Sequence, residues 1–275
     1  MDTLKTMTYA VTGRIARITL NRPQRGNGIT LDLPVELAQC VERADLDPAA
    51  GRAFAPAGSS LDPAVTARNH DPRRVWDPMV DYQMMARNVR GFMSLFHANK
   101  PVVCKVHGFC VAGGTDMALC SDLLVIAEDA KIGYPPARVW GSPTTSVWVF
   151  RIGVEKAKRL LFTGDCLNGR EAAAWGLATE CAPPETLDER FEILLERIAR
   201  MPINQLVMMK LLINQTVLSA GLPTTQILGT VFDGIARHTA EGYAFQQRAA
   251  AVGFKQAVRE RDEPFGDFGP STFKG

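Results

Sequence analysis

The run Ala112-Gly113-Gly114-Thr115-Asp116 combines residue types that together can do chemistry. Two glycines at a helix start let another group come close to the backbone. The first-turn amides have no partner inside the helix, and the positive end of the helix dipole adds to their pull. Such a start suits an oxyanion, and one donor of this kind is worth about 3–4 kcal/mol in a transition state. Tight helix–strand packing would use the same two glycines, and spacing alone does not separate these roles. Asp116 falls in the first turn, where the dipole favours an acid whatever its task. The dipole should also keep it ionised, which fits a general base better than a general acid.

Other candidates are weaker. His107 precedes the run and reads mainly as a local packing or hydrogen-bonding residue; His70, His97 and His238 have no partners in their own segments. The six cysteines (40, 104, 110, 120, 166, 181) show no CxxC pair and no metal-like clustering with histidine, so no metal is expected. Cys104, Cys110 and Cys120 lie in apolar contexts typical of buried thiols, and a reduced, cytoplasmic compartment fits best. No G-x-S-x-G elbow supports a serine hydrolase, and no G-x-G-x-x-G after a strand supports dinucleotide binding.

The elements that must position these groups alternate. Tyr9–Val11 and Ile15–Leu20 flank Thr12-Gly13 as a hairpin. Asp32 or Thr30 caps a helix to about Arg43, with Leu33, Leu37 and Val41 on one face. A stretch rich in Pro, Ala, Gly and Ser runs from Asp47 to Pro63. Asp77-Pro78 opens a strong helix whose inner stripe is Tyr82, Met85, Val89, Phe92, Met93 and Phe96. Pro101–Val106 and Leu123–Ala127 are strands on either side of the Gly113 helix, which argues for an α/β layer structure. Beyond Val154 the pattern is helical. One segment ends at Thr163-Gly164, the next at Gly176, and Leu187–Arg200, Pro202–Gln215, Pro223–His238 and Gly242–Arg261 follow.

The 275 residues suffice for one large domain or a domain with an appendage. A hydrophobic share of 46%, a charged share of 22% and a net charge of +2 describe an ordinary globular balance. No basic run with aromatics supports nucleic-acid binding, and no apolar stretch reaches the length of a membrane span or a signal segment.

The segment His107-Gly108-Phe109-Cys110-Val111-Ala112-Gly113-Gly114-Thr115-Asp116-Met117-Ala118-Leu119 resembles the signature of the crotonase superfamily, the enoyl-CoA hydratase/isomerase family. The likeness continues at Ile18–Pro23, at Cys120–Leu123 through Ala130–Gly133, and at Arg159–Gly164 followed by Glu171-Ala172 and Trp175-Gly176-Leu177. The motifs stand in the family's order and cover most of the chain. The resemblance implies a spiral of ββα units over residues 1–200 and a C-terminal helical oligomerisation region over 201–275. It implies a homotrimer or dimer of trimers, and an acyl-CoA thioester substrate with no separate cofactor.

Carried over residue by residue, the resemblance makes Gly113 one of two amides that hold the thioester oxygen. Arg52-Ala53-Phe54-Ala55-Pro56-Ala57-Gly58 is similar to the segment bearing the other, with Pro56 inserted, so Ala57 is the candidate donor beside Gly58. Arg25-Gly26-Asn27 matches the turn that touches CoA. Two departures stand out. The run of β-branched residues that precedes the Arg52 segment in the family is absent, since Asp47-Pro48-Ala49-Ala50 passes straight to Gly51. Hydratases also carry a second acid where Gly133-Tyr134-Pro135-Pro136 places Pro136. Asp116 stands in the first acid's position, and Tyr134, Thr144 or Thr145 would hold a water. The implied activity is water addition to, or removal from, an acyl-CoA. The alternatives are double-bond isomerisation by one carboxylate and a non-catalytic acyl-CoA-binding protein.

Overall fold

The computed structural model describes residues 4–46 and 68–266. Strands β1 (Met7–Thr12) and β2 (Ile15–Leu20) pair antiparallel from Met7↔Leu20 to Thr12↔Ile15, turning through Gly13 at φ +58°. Helix α1 (Leu33–Leu46) buries Leu33, Leu37 and Val41, as their four-residue spacing demands. Helix α2 (Pro78–His97) starts as the sequence indicates: Asp77 accepts from the Met79 amide at 2.9 Å and Pro78 takes the first position. Its buried stripe includes Val89, Phe92, Met93 and Phe96, while Met84 rather than Met85 faces fully inward.

Two three-stranded sheets form the centre. In the first, β3 (Val103–Val106), β5 (Leu123–Ala127) and β8 (Glu180–Ala182) are parallel and lie in the order β3-β5-β8. In the second, β4 (Phe109–Val111), β6 (Lys131–Gly133) and β7 (Cys166–Asn168) lie in that order, the first pair parallel and the second antiparallel. The chain gives one strand to each sheet before a helix. The first such turn is β3–β4–α3 (Gly113–Leu119), and the second is β5–β6–α4 (Trp148–Thr163). This is the spiral of ββα units. Leu124, Val125 and Ile126 of the middle strand are wholly buried, which explains their unbroken apolar run.

Helices α5 (Gly169–Trp175) and α6 (Leu187–Ala199) complete the spiral, and α7 (Ile203–Ser219), α8 (Leu222–Arg237), α9 (Ala240–Val252) and α10 (Phe254–Asp262) follow. Several boundaries differ from the sequence reading, and α7 runs four residues past Gln215. α4 begins six residues before Val154, kinked at Gly153, and the last expected helix is split at Gly253. α8 packs on α2. Lys210 of α7 reaches inward to Asp122 at 2.8 Å and to the carbonyls of Leu95 and Lys100. Arg138, 1% exposed, bonds Asp262 at 2.9 Å and the Thr163 carbonyl at 2.9 Å, tying α10 to the body. Among the described residues no single helix is long and apolar enough to cross a membrane; α7 and α8 pass that test only as a pair bent by 60°.

Candidate functional site

Helix α3 is fixed at both ends. Thr115 donates its hydroxyl to the carbonyls of Cys110 at 2.6 Å and Gly133 at 2.8 Å, pinning the helix to β4 and β6. Arg151 of α4 grips the other end through the carbonyls of Leu119, Ser121 and Asp122. The residue before the helix, Ala112, is held at φ 57° and ψ −126°. That conformation is one that only glycine adopts freely, at about 1–3 kcal/mol for another residue. It presents the Gly113 amide, which has no intrahelical partner, at the head of the helix. Backbone strain concentrates here: the other non-glycine residues with positive φ among the described ones are Asn27 and Ser146, in loops that flank the same helix.

Asp116 lies one turn along and is 2% exposed. It does not cap the helix. Its Oδ2 accepts from the Thr144 amide at 3.2 Å and the Thr144 hydroxyl at 3.4 Å, and its Oδ1 from the Thr145 hydroxyl at 3.1 Å. Thr144 and Thr145 therefore act on the acid itself, where the sequence suggested that they hold a water. The expected protonation is also corrected. Burial pushes the Asp116 carboxyl up to about 7, against the three threonine donors, and the charge of Asp233 adds to the rise. Loss of water outweighs the dipole of a seven-residue helix. A group poised there can serve as base and acid in one cycle near neutral pH.

The remaining candidates divide. Pro23–Arg25 form a 3₁₀ turn closed by Gly26, and Asn27 accepts from the Arg22 amide at 2.7 Å. Arg25 and Gly26 are exposed, and Ile29, just beyond them, would be struck by a side chain at Gly113, so this turn borders the helix start. Tyr134 is buried and donates to the Ser142 carbonyl at 2.9 Å. Burial, with Asp116 and Asp233 nearby, pushes its phenol well above the usual range. Pro136 sits in a 3₁₀ turn, Pro135–Arg138, against Gly141. Ala57 and Gly58, with the whole Asp47–Pro63 stretch, lie outside the described residues. His107 is exposed and lines a surface groove with Lys105, Asp129 and Asp188.

Two histidines do have partners, one of them 157 residues away in sequence. Asp81 of α2, fully buried, receives His70 at 3.1 Å on one oxygen, and His238 at 2.8 Å and Trp76 at 2.7 Å on the other. Asn69 adds a fourth donor at 3.1 Å, and His238 meets the Tyr243 hydroxyl at 2.8 Å and stacks on Trp76. His70, Asp81 and His238 are the one group among the described residues whose ligand atoms converge as a metal would require. Hydrogen bonds already satisfy the carboxylate, which suits a lock between α2 and α8.

With this geometry in place, the likeness to known proteins is clear. The family model described as enoyl-CoA hydratase/isomerase matches residues 11–244. A solved structure described as an enoyl-CoA hydratase from Mycobacterium smegmatis is 57% identical, with a TM-score of 0.92, over 98% of this chain and 97% of that one. A putative enoyl-CoA hydratase, EchA13, from Mycobacterium tuberculosis is 30% identical over 76% of this chain and 73% of its own. The 1,2-epoxyphenylacetyl-CoA isomerase of Escherichia coli is 28% identical over 73% of this chain and 78% of its own. The chain belongs to the enoyl-CoA hydratase/isomerase family.

Proposed function

We propose that the protein adds water to an enoyl-CoA thioester, or removes it from the 3-hydroxyacyl-CoA. One arrangement carries the reading: the free Gly113 amide at the head of α3, with the buried Asp116 carboxyl a turn away under Thr144 and Thr145. The amide would hold the thioester oxygen as it gains charge. The Asp116 carboxylate would take a proton from the attacking water, and its elevated proton affinity suits that task. Arg25 and Gly26 border the same helix start and would meet the CoA portion. Ala57 would supply the second amide, with Gly58 beside it. Tyr134 and Pro136 would line the acyl side. No cofactor beyond the CoA of the substrate is needed.

Double-bond isomerisation is the second reading, favoured by Pro136 where the second acid of the loop would stand. Mixing the protein with crotonyl-CoA and following the conjugated thioester absorbance tests hydration. Acyl-CoA binding without turnover across several chain lengths would mean a non-catalytic member. Residues 1–200 would be the site-bearing unit and 201–275 the oligomerisation region. Leu211, Leu212 and Ile213 of α7, with Ile227, Leu228 and Phe232 of α8, expose apolar side chains that a trimer or dimer of trimers would cover. Six free thiols accord with a reduced, cytoplasmic compartment.

A further inference from the structure

The loop 141–146 is clasped from two sides. Asp116 of α3 holds Thr144 and Thr145 from one side, and α8 presses on it from the other. Gln226 donates to the Thr145 carbonyl at 2.9 Å, and Ser146 donates to the Thr225 carbonyl at 3.0 Å. A methyl placed on Gly229 would collide with Pro143 and Ser146, so helix and loop are in close contact. The same face of α8 carries Asp233, which is 3% exposed. Its Oδ2 pairs with Arg237 at 2.7 Å, while among the described residues Oδ1 accepts only a long bond, 3.4 Å, from the Ser142 amide. A Cβ on Gly141 would stand 3.4 Å from that Oδ1, 3.4 Å from the Tyr134 hydroxyl and 3.1 Å from Pro136 Cβ. The underused oxygen of Asp233 therefore faces the spot that Pro136 and Tyr134 also border.

We propose that Asp233 is the second carboxyl of the hydration reaction, brought by α8 to the side of the site where Pro136 brings none. This rests on the hydratase reading above. The water oxygen bonds Cβ, and the proton it sheds passes to the Asp116 carboxylate. The electron pair of the double bond moves onto the thioester as an enolate held by Gly113. That pair then takes the proton of the Asp233 carboxyl to form the new Cα–H bond. Asp116 ends protonated and Asp233 ionised, and a proton passed between them through solvent restores both. Four groups face Asp233: Arg237 on its own helix, Asp81 on α2, Asp116 on α3 and Tyr134 after β6. Burial raises its carboxyl above the usual range, against the pull of Arg237 and with the help of Asp81.

Two measurements on the full-length protein test this. Asp233→Asn should lower kcat for crotonyl-CoA by about 10²–10⁴ with KM little changed. Adding Pro136→Glu to that variant should recover part of the rate while the same change in the wild type adds little; a gain of equal size in both would mean that Asp233 only packs. The second measurement is exchange of the Cα proton of butyryl-CoA with deuterated water. It needs no water addition; wild type and Asp116→Asn should exchange, and Asp233→Asn should not. If Asp233→Asn leaves Arg237 unpaired and the chain unfolded, Asp233→Asn with Arg237→Met removes both members of the pair and serves in its place. Exchange that persists without Asp233, wild-type turnover in the variant, or a wild type that does not exchange overturns the proposal. A wild type that exchanges but never hydrates overturns the hydratase reading and leaves Asp233 in its place.

Discussion

Burial of Asp116 opposes folding wherever the carboxyl is ionised. A carboxyl raised from 3.8 to about 7 by loss of water carries about 4 kcal/mol against its charged form. The unfolded chain releases this proton near 3.8 and the folded chain near 7. Between those values the folded state binds more protons, so this group's contribution to stability falls as pH rises and levels off above about 7. Asp116→Asn removes the titration. Its amide keeps one acceptor but turns an NH₂ toward Thr144 or Thr145, and the Thr144 backbone donor cannot rotate to oblige. A hydrogen bond lost in that way costs about 1–3 kcal/mol. The two effects together make the variant more stable than wild type by about 1–3 kcal/mol at about pH 8, and less stable near pH 4.5. Urea denaturation at equal protein concentration measures both differences. Turnover of crotonyl-CoA should fall by about 10²–10⁴ while acyl-CoA binding persists. A stability difference that is the same at the two pH values would refute the claim that burial opposes ionisation. Unchanged turnover would remove Asp116 from the reaction.

Four further outcomes follow from the same contacts. The kcat/KM profile of the wild type should rise with pH through about 7, and Thr145→Val, which removes a donor to the charged form, should move that rise to higher pH. Ala112→Gly should relieve the positive φ and stabilise the protein by about 1 kcal/mol in a urea titration, without loss of activity. Arg138→Met should destabilise by about 1–3 kcal/mol in the same assay, because the buried Asp262 keeps Arg261 but loses its second arginine, and the Thr163 carbonyl loses its donor. Leu212→Glu with Phe232→Glu should reduce the apparent mass on gel filtration; an unchanged elution volume would show that these faces of α7 and α8 are not the assembly surface.

Local signals made much of the fold legible. Asp77-Pro78 announces α2 because cap and first residue are chemically distinct, and Gly164 and Gly176 mark helix ends because each adopts the left-handed conformation. β5 was readable from its apolar run, whereas β4, β6 and β7, at three residues each, are too short to show a period. The start of α4 was hidden because Gly153 breaks its pattern and Val147 supplies no capping side chain. In the site, Gly113 and Asp116 share one motif and could be found from it. Thr144 and Thr145 lie 28 and 29 residues from the acid they hold, and His238 lies 157 from Asp81. Such pairs exist only once the spiral has closed. The direction of the Asp116 shift is not legible in the sequence for the same reason: the dipole can be read from position in a helix, but dehydration depends on what covers it.

The grip of Arg151 on the far end of α3 bears on how a bound carbonyl experiences this helix. At 1.5 Å per residue, seven residues make a rod of about 10 Å, short enough for its two poles to cancel in part at any nearby point. A guanidinium on the Leu119, Ser121 and Asp122 carbonyls neutralises the negative pole. What remains at Gly113 behaves less as a dipole than as a monopole, about half an elementary charge with no counter-charge behind it. Its attraction then decays with distance as a charge does, so a helix of under two turns can act on its ligand with the reach of a much longer one.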